Sequence, residues 1–210
     1  MLNVPETCNS VKWELDPLPR EFYARLPEVV ARDIIGKHIV RVLDDERRMI
    51  ARIVEAEGYR GQEDPASHAF RGPTARNYPM FGPPGHAYVY FIYGMHWMFN
   101  ISAHPPEMPG AILIRAAEPV LGTEWMAERR KVSRSVELTN GPAKLAQALE
   151  IDGTLNGLDL CQRGPLFLVD GSLTAAEEVM SGPRIRVPGD AVARHRPWRF
   201  WIKDNPYVSR

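Results

Sequence analysis

Proline and glycine, nineteen and sixteen of them in 210 residues, limit this fold more than any other feature. Breakers at that density imply many turns and argue against a bundle of long helices. With 44% hydrophobic residues the chain can still bury one good core. No apolar run approaches the roughly 20 residues needed to span a bilayer. Met1-Leu2-Asn3-Val4-Pro5-Glu6-Thr7 lacks the basic and apolar regions of a signal peptide, so an intracellular protein is expected. Cys8 and Cys161 are accordingly read as free thiols.

The segments between the breakers are short and mostly strand-like. Pro27 opens a helix through Ile35 that Gly36 ends, with Val30, Ile34 and Ile35 as its apolar face. His38–Leu43 and Met49–Glu57 flank Asp44-Asp45-Glu46 and read as an antiparallel hairpin. Residues 60–84 form a long ordered loop. His86–Ile92 and Trp97–Ser102 make a second hairpin around Tyr93-Gly94-Met95-His96. Ala111–Ala117 is a mostly apolar, hence central, strand. Thr123 is expected to cap a polar helix, and Asn140-Gly141-Pro142 to open another through Leu149. Pro165–Val169, Ile185–Val187 and Trp198–Ile202 read as further strands. The expectation is a mixed α/β (α+β) fold: one domain over residues 18–210, a mainly antiparallel sheet and peripheral helices. Residues 1–17 are an arm that Trp13 and Leu15 can dock. A single plausible βαβ unit speaks against a doubly wound nucleotide fold.

Net charge is formally zero and gives no prior for nucleic acid, but its distribution is uneven. Seven bases and two acids fall between Ser181 and Arg210, and Arg129-Arg130-Lys131 with Arg134 forms a second basic cluster. A basic face that contacts phosphates and an ordinary solvated surface are both open readings.

Most groups able to do chemistry lie between Ala51 and Arg115. On an extended strand Glu55, Glu57 and Tyr59 share one face, about 7 Å apart. Glu57, followed by Gly58, is placed where the strand gives way to the loop. A carboxylate there can face a pocket and activate water; the alternative is an exposed edge strand with solvated glutamates. His68, after Glu63-Asp64, suits a metal ligand, a stacking ring, a general acid or a purely structural loop residue. Metal binding is the weaker of these, since no second His or Cys stands at ligand spacing. His86, Tyr88, Tyr90 and Ile92 share one strand face, and core packing accounts for most of them. It does not account for Tyr93 at a hairpin tip beside Met95. A large aromatic there suits either a wedge into a base stack or a tip folded back on the domain. Arg115, in an apolar strand, calls for an acidic partner such as Glu57 or Glu118, and Asn100 is a second polar strand residue.

At these residues the chain resembles the alkyladenine (3-methyladenine, methylpurine) DNA glycosylases of the mammalian type. The resemblance rests on Arg52-Ile53-Val54-Glu55-Ala56-Glu57-Gly58-Tyr59, Glu63-Asp64 with His68, and Tyr88-Val89-Tyr90-Phe91-Ile92-Tyr93-Gly94-Met95 with Asn100-Ile101-Ser102. It continues through Leu113-Ile114-Arg115-Ala116-Ala117-Glu118-Pro119, Asn140-Gly141-Pro142-Ala143-Lys144-Leu145 and Pro197-Trp198-Arg199-Phe200, in order from Leu18 to Ser209. Gly58 and Phe91 depart from the pattern as tolerated variants, and the loop His104-Pro105-Pro106-Glu107-Met108-Pro109 departs further.

The resemblance implies a monofunctional enzyme, with no cofactor or metal, acting as a monomer on double-stranded DNA that contains damaged purines. It implies Glu57 as the base that activates water, with Arg115 positioning it and the main chain near Val187 holding the same water. Tyr59, His68 and Tyr90 would sandwich a flipped base, and Asn100 would screen its minor-groove edge. Tyr93, with Met95 beside it on a protruding hairpin, would fill the gap in the duplex. A purine alkylated on a ring nitrogen already carries positive charge, so one carboxylate can suffice where glycosidases need two. Neutral substrates such as hypoxanthine would still need protonation. The segment from Ala51 to Arg115 contains no lysine, against a covalent amine mechanism. Three other readings stay open. One is a metal-dependent nuclease on Glu55, Glu57, Asp64 and His68. The others are a damage-binding module without catalysis and an inverting carbohydrate hydrolase on Glu55 and Glu57.

Overall fold

The computed structural model describes residues 16–209. Its elements are α1 (Arg20–Tyr23), α2 (Pro27–Asp33), β1 (His38–Val42), β2 (Arg48–Arg60), β3 (Ala87–Ile92), β4 (His96–Ser102), β5 (Gly110–Leu121) and α3 (Thr123–Arg130). There follow α4 (Val136–Thr139), α5 (Pro142–Ala148), β6 (Leu166–Val169), β7 (Val179–Gly182), α6 (Ala191–His195) and β8 (Arg199–Ile202). The strands form one sheet in the order β3-β4-β5-β2-β1-β6, and every described pairing is antiparallel. The expected α+β architecture is what the chain adopts. The arm expected at residues 1–17, with Trp13 and Leu15, falls outside the described residues up to residue 15; Pro17 itself bridges Val169 at the sheet's edge.

β2 is the spine. Its first half pairs with β1, its second half with β8, and its other edge with β5 along almost its whole length. This corrects the expected position of Glu57: the strand runs on to Arg60, so Glu57 lies inside it. The exposed-edge reading of Glu55 and Glu57 fails for the same reason, and both are fully buried. Gly58 continues the strand because α2 crosses it there. A Cβ on Gly58 would sit 2.8 Å from the backbone nitrogen of Glu28, so only glycine allows the approach.

The β2–β5 ladder shifts register three times, and the two shifts on either side of Glu55 are opposed. Ile53 faces Ala117 and Glu55 faces Ala116, leaving Val54 unpaired; Ala56 then faces Ile114, leaving Arg115 unpaired. The two shifts cancel, so the flanking pairs keep their faces. Bulges of this kind re-aim a side chain without losing the sheet. Here Arg115 is one of the residues left without a ladder partner.

In the main core Val30, Ile34 and Ile35 of α2 and its C-terminal end pack with Ile53, Ile112, Phe99 and the α5 residues Leu145 and Ala148. Three sequence expectations need correction. Ile185–Val187 is a turn, with Arg186 at φ 52, and the strand in this region is β7. The polar segment gives no alternation there, and Pro183 and Pro188 withhold donors. Thr123 is the first helical residue of α3, not its cap; Gly122, at φ 72, is the cap. The basic clusters are also less of a surface than they looked. Arg184 pairs with Asp64 inside the protein, Arg199 with Glu55, Arg129 with Glu150 and Lys203 with Glu178.

Candidate active site

A cleft of about 620 Å³ opens above β2 to β5. Its floor comes from strands: Tyr59 on β2, Leu113 and Arg115 on β5, Met98 and Asn100 on β4, Tyr88 and Tyr90 on β3. The loop carrying Ala66 and His68 and the turn Ile185-Arg186-Val187-Pro188 form its walls. A larger hollow of about 1070 Å³ lies beside Phe22, Arg32 and Leu173, and none of the expected site residues borders it. The smaller cleft is where ionisable and aromatic groups converge, so it is the candidate site.

Below the cleft Glu57 is held from three directions. Its Oε2 accepts from the Tyr59 hydroxyl at 2.7 Å and from Arg115 Nη1 at 3.2 Å, and its Oε1 accepts from the Ile185 N–H at 2.7 Å. A carboxylate offers about four acceptor directions, so one is left. Glu55 lies behind it. It accepts from Arg199 Nε at 2.6 Å and from the Ser209 N–H at 2.7 Å, and it stands 3.5 Å from Arg115 Nε. The Ser209 hydroxyl in turn accepts from Arg115 Nε at 3.4 Å. Two buried carboxylates are therefore matched by two guanidinium groups, which removes the penalty of an unpaired buried charge. Glu118, the alternative partner for Arg115, pairs instead with Arg52.

Tyr59 is half-buried as a residue, but its hydroxyl points inward to Glu57. Burial, and then the Glu57 charge, push the phenol well above its usual range, so it stays a donor. Arg184 covers the ring at 4.6 Å. The guanidinium of Arg184 also grips Asp64 through two bonds of 2.6 and 2.9 Å, with both side chains fully buried, and donates to the Gly58 and Ala193 carbonyls. This single pair ties the His68 loop to the turn that delivers the Ile185 N–H.

The aromatic wall is continuous. The rings of His68 and Tyr90 meet edge-on with centroids 4.7 Å apart, Tyr88 lies 5.2 Å from Tyr90, and His68 Nδ1 is 2.8 Å from the Tyr88 hydroxyl. His68 is exposed as a residue, yet its imidazole end is packed against these rings. That partial burial, then the charge of Arg76, lowers its pKa below the ordinary histidine value. Asn100 turns its amide onto the Tyr88 carbonyl at 3.1 Å while bordering the cleft. The tip of the β3–β4 hairpin holds Tyr93 at φ 55 and Gly94 at φ 67, the doubly left-handed backbone of a type I′ turn. Tyr93 is 80% exposed and Met95 68% exposed, so this tip is not folded back on the domain.

Glu57, Arg115, Tyr59, His68, Tyr90, Asn100 and Val187 thus converge, and Tyr93 stands at the rim. Met95 faces solvent near that rim. The set Glu55, Glu57, Asp64 and His68 does not converge, because Asp64 is turned onto Arg184 and Glu55 onto Arg199. Among the described residues no three His, Cys, Asp or Glu side chains gather as a metal site. Sequence reasoning missed Ile185, Arg184, Tyr88, Arg76 and Ser209. Ile185 acts through its backbone, which no residue pattern reveals. An arginine of the basic C-terminal run was readable for Arg184, but its burial was not.

The model of the methylpurine-DNA glycosylase family matches residues 21–206, nearly the whole chain. The chain belongs to the methylpurine-DNA glycosylase family. A relative from Streptomyces avermitilis is 47% identical over 196 residues, 92% of this chain and 91% of its own length. One from Methanocella arvoryzae is 46% identical, covering 92% and 96%, and one from Carboxydothermus hydrogenoformans is 46% identical, covering 92% and 98%. All three carry the name "Putative 3-methyladenine DNA glycosylase". The narrower mammalian likeness finds no support in these relatives. As a member of this family the protein is a DNA-repair hydrolase acting on N-glycosyl bonds, with DNA as substrate. No helix among the described residues is long and apolar enough to cross a membrane.

Proposed function

We propose that this methylpurine-DNA glycosylase acts as a monomer that turns 3-methyladenine, 7-methylguanine and deaminated or etheno purines out of duplex DNA and hydrolyses their glycosidic bond with water activated by Glu57. The observation that carries the reading is Glu57 itself: fully buried, fixed by Arg115, Tyr59 and the Ile185 N–H, and beneath an aromatic cleft of about 620 Å³.

The chemistry follows from the charges. As the bond from C1′ to a cationic purine breaks, its electron pair passes to the ring, which leaves neutral, and positive charge develops on the sugar. Water on the opposite face adds to C1′ and gives its proton to Glu57. Arg115, Tyr59 and Ile185 keep that carboxylate in place so that little reorganisation is needed at the moment of attack. The main chain at Val187, on the wall of the cleft, is a second anchor for the water. Tyr59, His68 and Tyr90 supply ring surface for the extruded base, and a cation over such a face gains about 0.5–2 kcal/mol. Asn100 borders the base's other edge. Tyr93 and Met95, exposed on a tight turn, suit insertion where the base has left the stack, offsetting part of the few kcal/mol that extrusion costs.

The test is base release by the full chain from duplex oligonucleotides carrying one hypoxanthine or one 7-methylguanine, in the presence of chelator. Free base with an abasic site in an unbroken strand is the expected result. Strand scission without base release would sink the proposal.

A further inference from the structure

Among the described residues Arg76 is the cation set over the Tyr90 ring, and the mechanism above leaves it unused. Its guanidinium carbon lies 4.7 Å from the centroid of the Tyr90 ring, and Nη2 donates to the Phe91 carbonyl at 3.4 Å. It does not border the cleft. Together with Phe91 and Trp97 it borders a separate groove, and Tyr90 is common to both spaces. Tyr90 therefore borders the cleft while a fixed positive charge lies on its ring, and the same guanidinium reaches the Tyr88 phenol beside it.

That placement has an electrostatic consequence. An aromatic face attracts a cation through its quadrupole, and a second cation already on the same ring opposes the first. Arg76 also stands close enough to the His68 side of the wall to add to the lowering of the imidazole pKa. The two effects have opposite signs for a cationic guest. A neutral His68 removes a repulsion, whereas the Arg76 charge on Tyr90 adds one. The charge is permanent and lies on the ring itself; an imidazole at neutral pH is largely uncharged with or without Arg76. The term through Tyr90 is the larger.

Building on the glycosylase reading of the cleft, we infer that Arg76 is a specificity-determining residue: through Tyr90 it lowers the preference of the pocket for positively charged purines and so widens its range to neutral ones. An aromatic cage without this arginine would favour cationic lesions more strongly.

The experiment is equilibrium binding in a Glu57→Gln background, using duplexes that differ in one nucleotide: 7-methylguanine, cationic, or hypoxanthine, neutral. Affinities are compared for Arg76, Arg76→Lys, Arg76→Met and Arg76→Gln. Any phosphate contact made by Arg76 weakens both duplexes equally and cancels in the ratio. The expected result is a ratio shifted two- to fivefold toward 7-methylguanine in both neutral variants, about the size of one exposed cation–aromatic contact, and largely restored by lysine. An unchanged ratio, opposite shifts in the two neutral variants, or loss of all binding in both would overturn the inference. Failure of the underlying reading looks different: wild type then releases neither base, or Glu57→Gln releases base as fast as wild type.

Discussion

Consider removal of the Asp64 carboxylate by Asp64→Ala. The pair it forms with Arg184 is bidentate at 2.6 and 2.9 Å and neither side chain is exposed. The variant leaves a guanidinium buried with two backbone carbonyls at 3.0 Å and the Tyr59 and Trp198 rings as its remaining company. Breaking a buried pair from one side costs about 3–5 kcal/mol, and these surviving partners place the loss near the lower end, about 3 kcal/mol. For a chain of this size that is a fall in Tm of about 6–12 °C. Loosening should also reach the chemistry, since the same pair holds the His68 loop against the turn that donates the Ile185 N–H to Glu57. Base release is expected to fall about tenfold to a hundredfold, the usual cost of ångström-scale misplacement. Thermal and urea unfolding of Asp64→Ala, Arg184→Met and the double variant form the assay, with the double expected to be little worse than either single. A loss below about 1 kcal/mol in Asp64→Ala, or additive losses in the cycle, would refute the reasoning, because that is the behaviour of a solvated pair.

Three further outcomes are expected. Gly58→Ala should destabilise by about 1–3 kcal/mol in chemical unfolding, because its Cβ would meet α2 backbone at 2.8 Å and backbone cannot swing aside; a neutral result would mean that β2 and α2 are not in this contact. The Glu177 carboxyl, held at about 2 by its hydrogen bond to Arg52 and below its unfolded value, contributes stability that is present above about pH 4.5 and lost as pH falls through about 2. Glu177→Gln should therefore lower stability at pH 7 and flatten the acid limb of a stability–pH curve, and an unchanged limb would count against the pair. Burial pushes the Cys161 thiol up to about 11, so in a Cys8→Ser background it should resist iodoacetamide at pH 8 until the protein is unfolded.

The sequence was most informative where a residue broke a local rule. Arg115 in an apolar strand announced a buried pair, and the pair is there. Tyr93 at a tip normally given to Asn or Asp left an exposed wedge and a folded-back tip both open, and its exposure decides for the first. Alternation along β3 separated Tyr88 and Tyr90 from Ala87 and Val89, and the structure turns the first pair to the cleft and the second to the core. What stayed hidden depends on tertiary distance. Glu57 followed by glycine looked like a strand end because the reason for Gly58, the crossing of α2, lies thirty residues away. The unpaired position of Arg115 in the ladder arises from two shifts that leave no mark on the pattern. Ser209 and Ile185 reach the carboxylates through backbone N–H groups, and every residue but proline carries one.

Whether Glu57 activates the attacking water is decided by single-turnover release of 7-methylguanine and hypoxanthine by wild type and Glu57→Gln. With binding of damaged duplex retained, the variant is expected to lose at least about a hundredfold of the wild-type rate on both substrates. Release within a few-fold of wild type would show that some other group takes the proton from water, and the role given to Glu57 would fall.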